Sequence, residues 1–217
     1  VGGYGRGEMA LHSDVDLLFL VPSKGSEWAE RVVEAMLYLM WDLKLKVGHA
    51  TRNIKDCLRL AKEDFTIRTS LVECRTLGGD QDLPVELKDR LWKELFRSTA
   101  SDFIEAKLEE RSSRHKKQGG QRYMVEPNVK EGKGGLRELQ SLFWIAKYIH
   151  GLSDAAELVP LGLFRREEFD TFVRAESFLW AVRCHMHIAT ARASEQLTFD
   201  LQVEVASRMG YSDSKGR

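Results

Sequence analysis

A glycine-rich segment followed closely by an apolar strand constrains this chain more than any other feature of its sequence. The segment occupies residues 2–8 (GGYGRGE), and the strand pattern occupies residues 14–20 (DVDLLFL). The strand pattern alternates at first and then becomes continuously apolar, which is typical of a strand that enters a buried sheet, and Pro22 ends it. A dinucleotide-binding fingerprint is excluded, because it needs a helix directly after the glycines and an acidic residue about twenty positions on. A short turn into the strand is expected here instead.

Two carboxylates on one face of this strand indicate a metal site. Asp14 and Asp16 are two positions apart, so on a strand both side chains project from the same face. Like charges at this spacing repel unless a cation lies between them, and Mg²⁺ suits hard oxygen ligands together with substrate phosphates. Glycine-rich backbone can approach a polyphosphate closely and point N–H groups at its oxygens. Either feature alone is usually a turn or a solvated strand end, but together they predict metal-assisted nucleotidyl transfer.

Hydrophobic periodicity predicts an α+β fold in two parts. A strand-helix-strand-helix order precedes Pro84, and helical periods dominate after it. We therefore expect a small mixed-sheet domain at residues 1–83 and an all-helical domain at residues 84–217. The second strand is predicted at residues 45–51. Helices are predicted at residues 26–43, from 53 onward, and at 64–77, 85–113, 136–150, 165–193 and 200–210.

Composition and charge narrow the class of protein. Hydrophobic residues make up 43% and charged residues 30%, which is an ordinary globular balance and excludes disorder. Lys and Arg total 33 and Asp and Glu total 33, so no whole-chain field attracts nucleic acid or an anionic membrane. The three separated cysteines fit neither a disulfide framework nor a zinc site, and they favour a cytoplasmic location. We expect no signal peptide and no membrane span, and the cut appearance of both ends predicts a fragment of a longer protein.

The motifs resemble those of the DNA polymerase β-like nucleotidyltransferase superfamily. Residues 1–3 (VGG), followed after ten residues by residues 14–17 (DVDL), match its hydrophobic-Gly-Gly and Asp-x-Asp pattern. The longer string GGYGRGEMALHSDVDLLFL is similar to one family within it, the bacterial PII uridylyltransferase/uridylyl-removing enzymes. Further similar stretches are residues 46–49 (KVGH), 126–140 (EPNVKEGKGGLRELQ) and 183–202. The resemblance covers nearly all of the chain, and it implies that residues 1–83 are a nucleotidyltransferase domain.

The resemblance implies transfer of UMP from UTP to a tyrosine of the nitrogen-signalling protein PII, with release of pyrophosphate. Asp14 and Asp16 would then be catalytic and would ligate Mg²⁺. The implied partners are UTP and PII, without nucleic acid or membrane. The expected nucleotide-binding residues are Gly2, Gly3, Gly5, Arg6, Ser13, Lys130 and Arg137, of which the last two lie in or beside a basic connector. Arg6 could equally brace the loop against Glu8, since Arg suits phosphate and carboxylate partners alike.

Several questions stay open at the level of sequence. Many superfamily members place a third carboxylate on a later strand, where this chain has Gly48 and His49, and Asp42 and Glu73 are other candidates. The motif does not select the nucleobase, so a protein adenylyltransferase is an alternative. A truncated module that binds nucleotide or PII without turnover is another alternative. A nucleic-acid polymerase or tRNA nucleotidyltransferase is disfavoured by the neutral charge.

A Cys-His-x-His cluster near residue 187 could suggest a metal site, but helical geometry argues against it. His185 and His187 would point about 200° apart on a helix and could not hold one ion. We therefore expect His187 to be a partly buried residue with satisfied hydrogen bonds.

Overall fold

The computed structural model describes residues 1–22, 25–119 and 124–212. Within these residues the chain forms nine α-helices and a two-stranded sheet. They divide into two compact units. The first unit comprises Val1–Met9 and Ser13–Phe103, and the second comprises Ala10–His12 and the described residues from Ile104 onward.

The first unit contains a parallel β-α-β crossover followed by helices. Strand β1 (Val15–Leu20) pairs in parallel with β2 (Val47–Arg52), and the helix between the strands supplies the crossover that parallel pairing requires. Val15 lies opposite Val47. Three helices follow, and the first of them, α3 (Ile54–Glu63), packs against both of the others. The elements in chain order are α1 (Gly2–Arg6), β1 (Val15–Leu20), α2 (Glu27–Asp42), β2 (Val47–Arg52), α3 (Ile54–Glu63), α4 (Phe65–Val72) and α5 (Asp82–Glu94).

Three polar side chains cap the N-terminal ends of α2, α3 and α4. The side-chain oxygens of Ser26, Asn53 and Asp64 accept backbone N–H groups two or three residues further on, at 2.6–3.2 Å. Each bond satisfies one of the donors that the first turn of a helix leaves without an internal partner. The helix starts predicted at Ser26 and Asn53 are therefore confirmed.

The second unit is built from long helices around two apolar clusters. One cluster contains Val129, Val182, Met186 and Val205, and the other contains Ala146, Leu152 and Leu158. The elements are α6 (Ala100–Lys117), which begins just before this unit, α7 (Leu136–His150), α8 (Arg166–Thr190) and α9 (Phe199–Arg208). An isolated antiparallel bridge joins Asn128 to Gln196.

The structure agrees with the α+β class, but the sheet in the described residues consists of two parallel strands where a small mixed sheet was predicted. Several boundaries also differ. Residues 2–6 form a single helical turn where a simple turn was expected. The helix predicted at residues 85–113 is divided into α5 and α6, because the Ser98 and Thr99 hydroxyls bond to the Leu95 carbonyl and a short 3₁₀ turn intervenes. The assignment of domains to residues 1–83 and 84–217 stays a prediction. The boundary between the two compact units instead follows residue 103, because α5 packs against α3 and so belongs to the first unit. No helix in the described ranges is long and apolar enough to cross a membrane.

We expect the Cys57 thiol to resist alkylation in the native protein. It is fully buried, and burial raises its pKa to about 11, so the reactive thiolate is scarce at pH 8. Cys74 is exposed and provides an internal comparison. Iodoacetamide labelling and peptide mapping should modify Cys74 first and Cys57 only in denaturant. Equal labelling of both thiols in native buffer would contradict this packing.

Candidate functional site

Asp16 lies in β1, and a glycine faces each of its carboxylate oxygens. Gly48 of β2 is its register partner, and a Cβ atom at position 48 would lie 2.6 Å from Asp16 Oδ1. A Cβ atom at Gly2 would lie 2.9 Å from Asp16 Oδ2, and the φ of +60° at Gly2 also favours glycine. The two glycines therefore leave the space that this carboxylate occupies. A third acidic side chain at position 48 would displace it.

Asp14 and Asp16 interact electrostatically. Burial raises the pKa of Asp16 above its usual range, and the charge of Asp14 raises it further. The backbone nitrogen of Val1 donates a hydrogen bond to the backbone oxygen of Asp16 at 2.9 Å. Asp14 immediately precedes β1 rather than lying within it. A cation at this pair would relieve the repulsion and favour both ionised forms.

None of the proposed third ligands joins this carboxylate pair in a metal cluster. His49 alternates with Gly48 along β2 and so faces away from Asp16, and its ring centroid lies 6.4 Å from that of Trp41. Glu73 is buried beside Arg6, and Asp42 ends α2. Among the described residues no group of three His, Cys, Asp or Glu side chains could hold a metal ion. The residues present fit Mg²⁺, which commonly takes one or two protein carboxylates and completes its shell with phosphates and water.

Arg6 braces the glycine-rich segment from within the protein. Its Nε donates to Glu8 Oε2 at 2.7 Å, and one terminal nitrogen lies 3.5 Å from Glu73 Oε2. The Arg6 side chain is only 10% exposed, and that of Glu73 is 1% exposed. This geometry favours the bracing alternative, and a contact of Arg6 with phosphate stays a prediction.

The other glycines of the segment have packing reasons as well. A Cβ atom at Gly5 would overlap with the backbone carbonyl of Glu73, and one at Gly3 would lie 3.1 Å from the Glu8 carbonyl. Ser13 lies in the partly buried loop before β1. The expected nucleotide contacts of Gly2, Gly3, Gly5 and Ser13 remain predictions.

In the second unit, residues 124–135 form a tightly bonded loop before α7. The Asn128 side chain accepts the N–H groups of Lys130 at 3.1 Å and Glu131 at 2.7 Å. Cβ atoms at Gly132 and Gly135 would lie 2.5 Å and 2.7 Å from loop carbonyl oxygens. Because the loop is compact, it presents Lys130 in a defined position rather than as part of a solvated linker.

Lys130 and Arg137 have different surroundings. Burial and the neighbouring Arg183 lower the pKa of Lys130, and its ammonium lies 4.0 Å from Glu195 Oε1. The Lys130 side chain is 33% exposed, so an anionic ligand can reach it and would favour its charged form. Arg137 instead contacts Glu131 and Gln140, each at 3.1 Å. Binding of a nucleotide by Lys130 and Arg137 stays a prediction.

His187 is a core residue, but it is buried more deeply than predicted, and the prediction of satisfied hydrogen bonds is wrong for its Nε2, for which the described residues offer no hydrogen-bond partner. It is fully buried, and its Nδ1 accepts the backbone N–H of His12 at 3.4 Å. Its Nε2 lies 3.8 Å from Glu195, which Arg183 holds with hydrogen bonds of 2.7–3.1 Å. Sequence reasoning missed Glu195, because a single glutamate after a helix carries no local signal.

Glycine-rich backbone beside a pair of interacting carboxylates is suited to binding a metal-complexed nucleotide phosphate. The family model described as GlnD PII-uridylyltransferase matches residues 102–217, which is more than half of the chain. The chain therefore belongs to the GlnD PII-uridylyltransferase family.

Three curated relatives align with the whole chain, and each is named a bifunctional uridylyltransferase/uridylyl-removing enzyme. The relatives of Cereibacter sphaeroides and Ruegeria pomeroyi are each 66% identical over 217 residues. The relative of Novosphingobium aromaticivorans is 56% identical over the same length. The chain spans only 23–24% of the length of these relatives. No solved structure matches the chain.

Replacing Gly48 with Ala tests the space around Asp16. The added methyl group would displace the carboxylate, whereas alanine is ordinarily tolerated better than glycine within a strand. We expect Gly48→Ala to weaken Mn²⁺ binding in the presence of UTP by about tenfold, the effect of about 1.4 kcal/mol. Electron paramagnetic resonance measures the free ion directly. Gly78→Ala is the matched control, because a Cβ atom there meets open space. Unchanged Mn²⁺ affinity in Gly48→Ala would contradict the assignment.

The buried His187 should make folding stability depend on pH. Burial and Arg183 lower its pKa below the ordinary value, so the unfolded chain takes up the proton first as pH falls. Stability is therefore present above about pH 6.5 and is lost below it, by up to about 1.4 kcal/mol per pH unit. Urea titrations at pH 7.5 and 5.5 should show a smaller loss in His187→Gln than in the unaltered chain. Substitution of the exposed His150 by Gln should leave the loss unchanged.

Proposed function

We propose that this protein transfers UMP from UTP to a tyrosine hydroxyl of a PII protein, with release of pyrophosphate and dependence on Mg²⁺. The observation that carries the proposal is the Asp16 carboxylate, which lies between Gly2 and Gly48 and interacts with Asp14. The names of the curated relatives supply the uridylyl group, and the description of the matching family model supplies PII as the partner class. Residues 1–83 would be the polymerase β-like nucleotidyltransferase domain, and residues 84–217 the helical domain associated with it.

Different residues of the chain would bind the metal ion and the phosphates. Asp14 and Asp16 would hold Mg²⁺, which when bound neutralises phosphate charge and stabilises the leaving pyrophosphate. The backbone of Gly2 and Gly3 would lie against the phosphates, because a segment without Cβ atoms permits a close approach. Lys130 would pair with a phosphate oxygen, and that contact would replace the long ion pair with Glu195 as its main stabilisation.

The remaining assignments belong to the same proposal. Gly5, Arg6, Ser13 and Arg137 would support the nucleotide site, with Arg6 acting chiefly through Glu8 and Glu73. The zero net charge supports a protein rather than a nucleic-acid partner. The three cysteines, which are far apart in the sequence, support a reducing, cytoplasmic location, and no membrane partner is proposed.

Pyrophosphate release tests the proposal in the intact natural protein, supplied with Mg²⁺, UTP and the PII protein of the same organism. We expect release that requires PII and falls about a thousandfold in Asp16→Asn, because one metal-binding charge is lost. The melting temperature should not fall, since the change removes a charge that Asp14 repels. Asp102→Asn provides a matched control at an exposed site in the same unit.

Other outcomes would separate the alternatives. Release with ATP but not UTP would replace the uridylyltransferase by an adenylyltransferase. Binding of UTP without release would reduce the protein to a nucleotide-binding module. Wild-type turnover in Asp16→Asn would contradict the two-carboxylate assignment.

A further inference from the structure

Arg75 donates hydrogen bonds to the C-terminal end of the glycine-rich helix α1. Its Nε donates to the carbonyl of Gly5 at 3.1 Å, and one terminal nitrogen donates to the carbonyl of Tyr4 at 2.8 Å. The guanidinium carbon lies 5.4 Å from the centroid of the Tyr4 ring. Two directed hydrogen bonds and a cation–π contact therefore join residues about 70 positions apart in sequence.

Helix α1 needs this external support, because it is a single turn of five residues. A helix this short is not stable by itself. The carbonyls of Gly3 and Tyr4 accept amides that follow the helix, and Arg75 adds a second donor to Tyr4 and donates to Gly5. A cation at the C-terminal end also complements the helix dipole. Beneath the helix, the α-carbon of Gly5 lies close to the backbone carbonyl of Glu73, two residues before Arg75. The segment 73–75 thus supports α1 from below and at its C-terminal end.

The position of α1 determines the geometry at Asp16. Gly2 begins this helix and leaves space beside Asp16 Oδ2, so a shift of α1 would change the separation of the glycine backbone from the carboxylate. The two Arg75 nitrogens for which hydrogen bonds are described point at protein carbonyls, so Arg75 acts through α1.

We propose that Arg75 is a positioning residue, which holds the α1 backbone beside Asp16 so that a nucleoside triphosphate can bind there. The identity of the ligand rests on the proposed function, but the support of α1 by Arg75 does not. A lysine could not replace it fully, because a single ammonium lacks the planar fork that reaches two carbonyls at once.

Steady-state kinetics on the intact natural protein test the effect on the nucleotide. In Arg75→Ala we expect the KM for UTP to rise about tenfold, while kcat changes less than about threefold. Guanidinium chloride at low millimolar concentration should restore the KM, because Arg75 is exposed and its vacated place is open to solvent. Arg97→Ala is the control, since Arg97 is also exposed and lies in the 3₁₀ turn after α5. An unchanged KM, or a raised KM without rescue by guanidinium, would overturn the proposal.

Hydrogen exchange tests the same inference without reference to catalysis. The amides of Gly7 and Glu8 donate to the carbonyls of Tyr4 and Gly3 at 3.2 Å and 3.0 Å, so they report on the last turn of α1. In Arg75→Ala these amides should exchange about tenfold faster, and guanidinium should slow them again. Unchanged exchange would show that α1 does not depend on Arg75. If the unaltered protein fails to turn over UTP, the proposed function fails, and the exchange result still decides the role of Arg75.

Discussion

The close approach of the Asp16 carboxylate to two glycine α-carbons is the constraint on which the candidate site depends. Parallel pairing of β1 with β2 places Asp16 opposite Gly48, and the turn of α1 brings Gly2 to the other carboxylate oxygen. The crossover through α2 is needed for the first contact, and the packing of α1 against β1 and α4 is needed for the second. The surroundings of the Asp16 carboxylate are therefore complete only when elements distant in sequence have packed together.

The surroundings of Asp16 and of Lys130 both disfavour the charged form of the side chain. Asp16 has a raised pKa, because burial and Asp14 both disfavour its charge. Lys130 has a lowered pKa, because burial and Arg183 disfavour its charge in the same way. Each group would be stabilised by a ligand of opposite sign. Asp16 is therefore suited to a cation and Lys130 to an anion.

Local signals in the sequence were sufficient for much of the fold. Side chains that cap helices, such as Ser26 and Asn53, are readable because their effect acts within three residues. The limits of α7 (Leu136–His150) also matched the prediction, since a glycine lies just outside each end. The sequence did not predict the division between α5 and α6, because the helical period continues through it. The hydroxyl groups of residues 98 and 99 interrupt the helix by bonding to the Leu95 carbonyl. Arg75 lies about 70 positions from the carbonyls that it contacts, and Glu195 lies beyond the end of the helix that carries Arg183 and His187, so no local pattern reveals either residue.

The glycines of the candidate site show why a motif can be recognised correctly while its residues are understood only in part. Gly2 and Gly48 leave room for a carboxylate, whereas Gly5 leaves room for the backbone of residue 73. All three positions exclude a side chain, but for different physical reasons. A substitution at Gly48 would act on the metal ligand directly, and one at Gly5 would act through the position of α1. The spacing of glycines therefore indicates the class of site, and the atoms that each glycine makes room for determine what that glycine does.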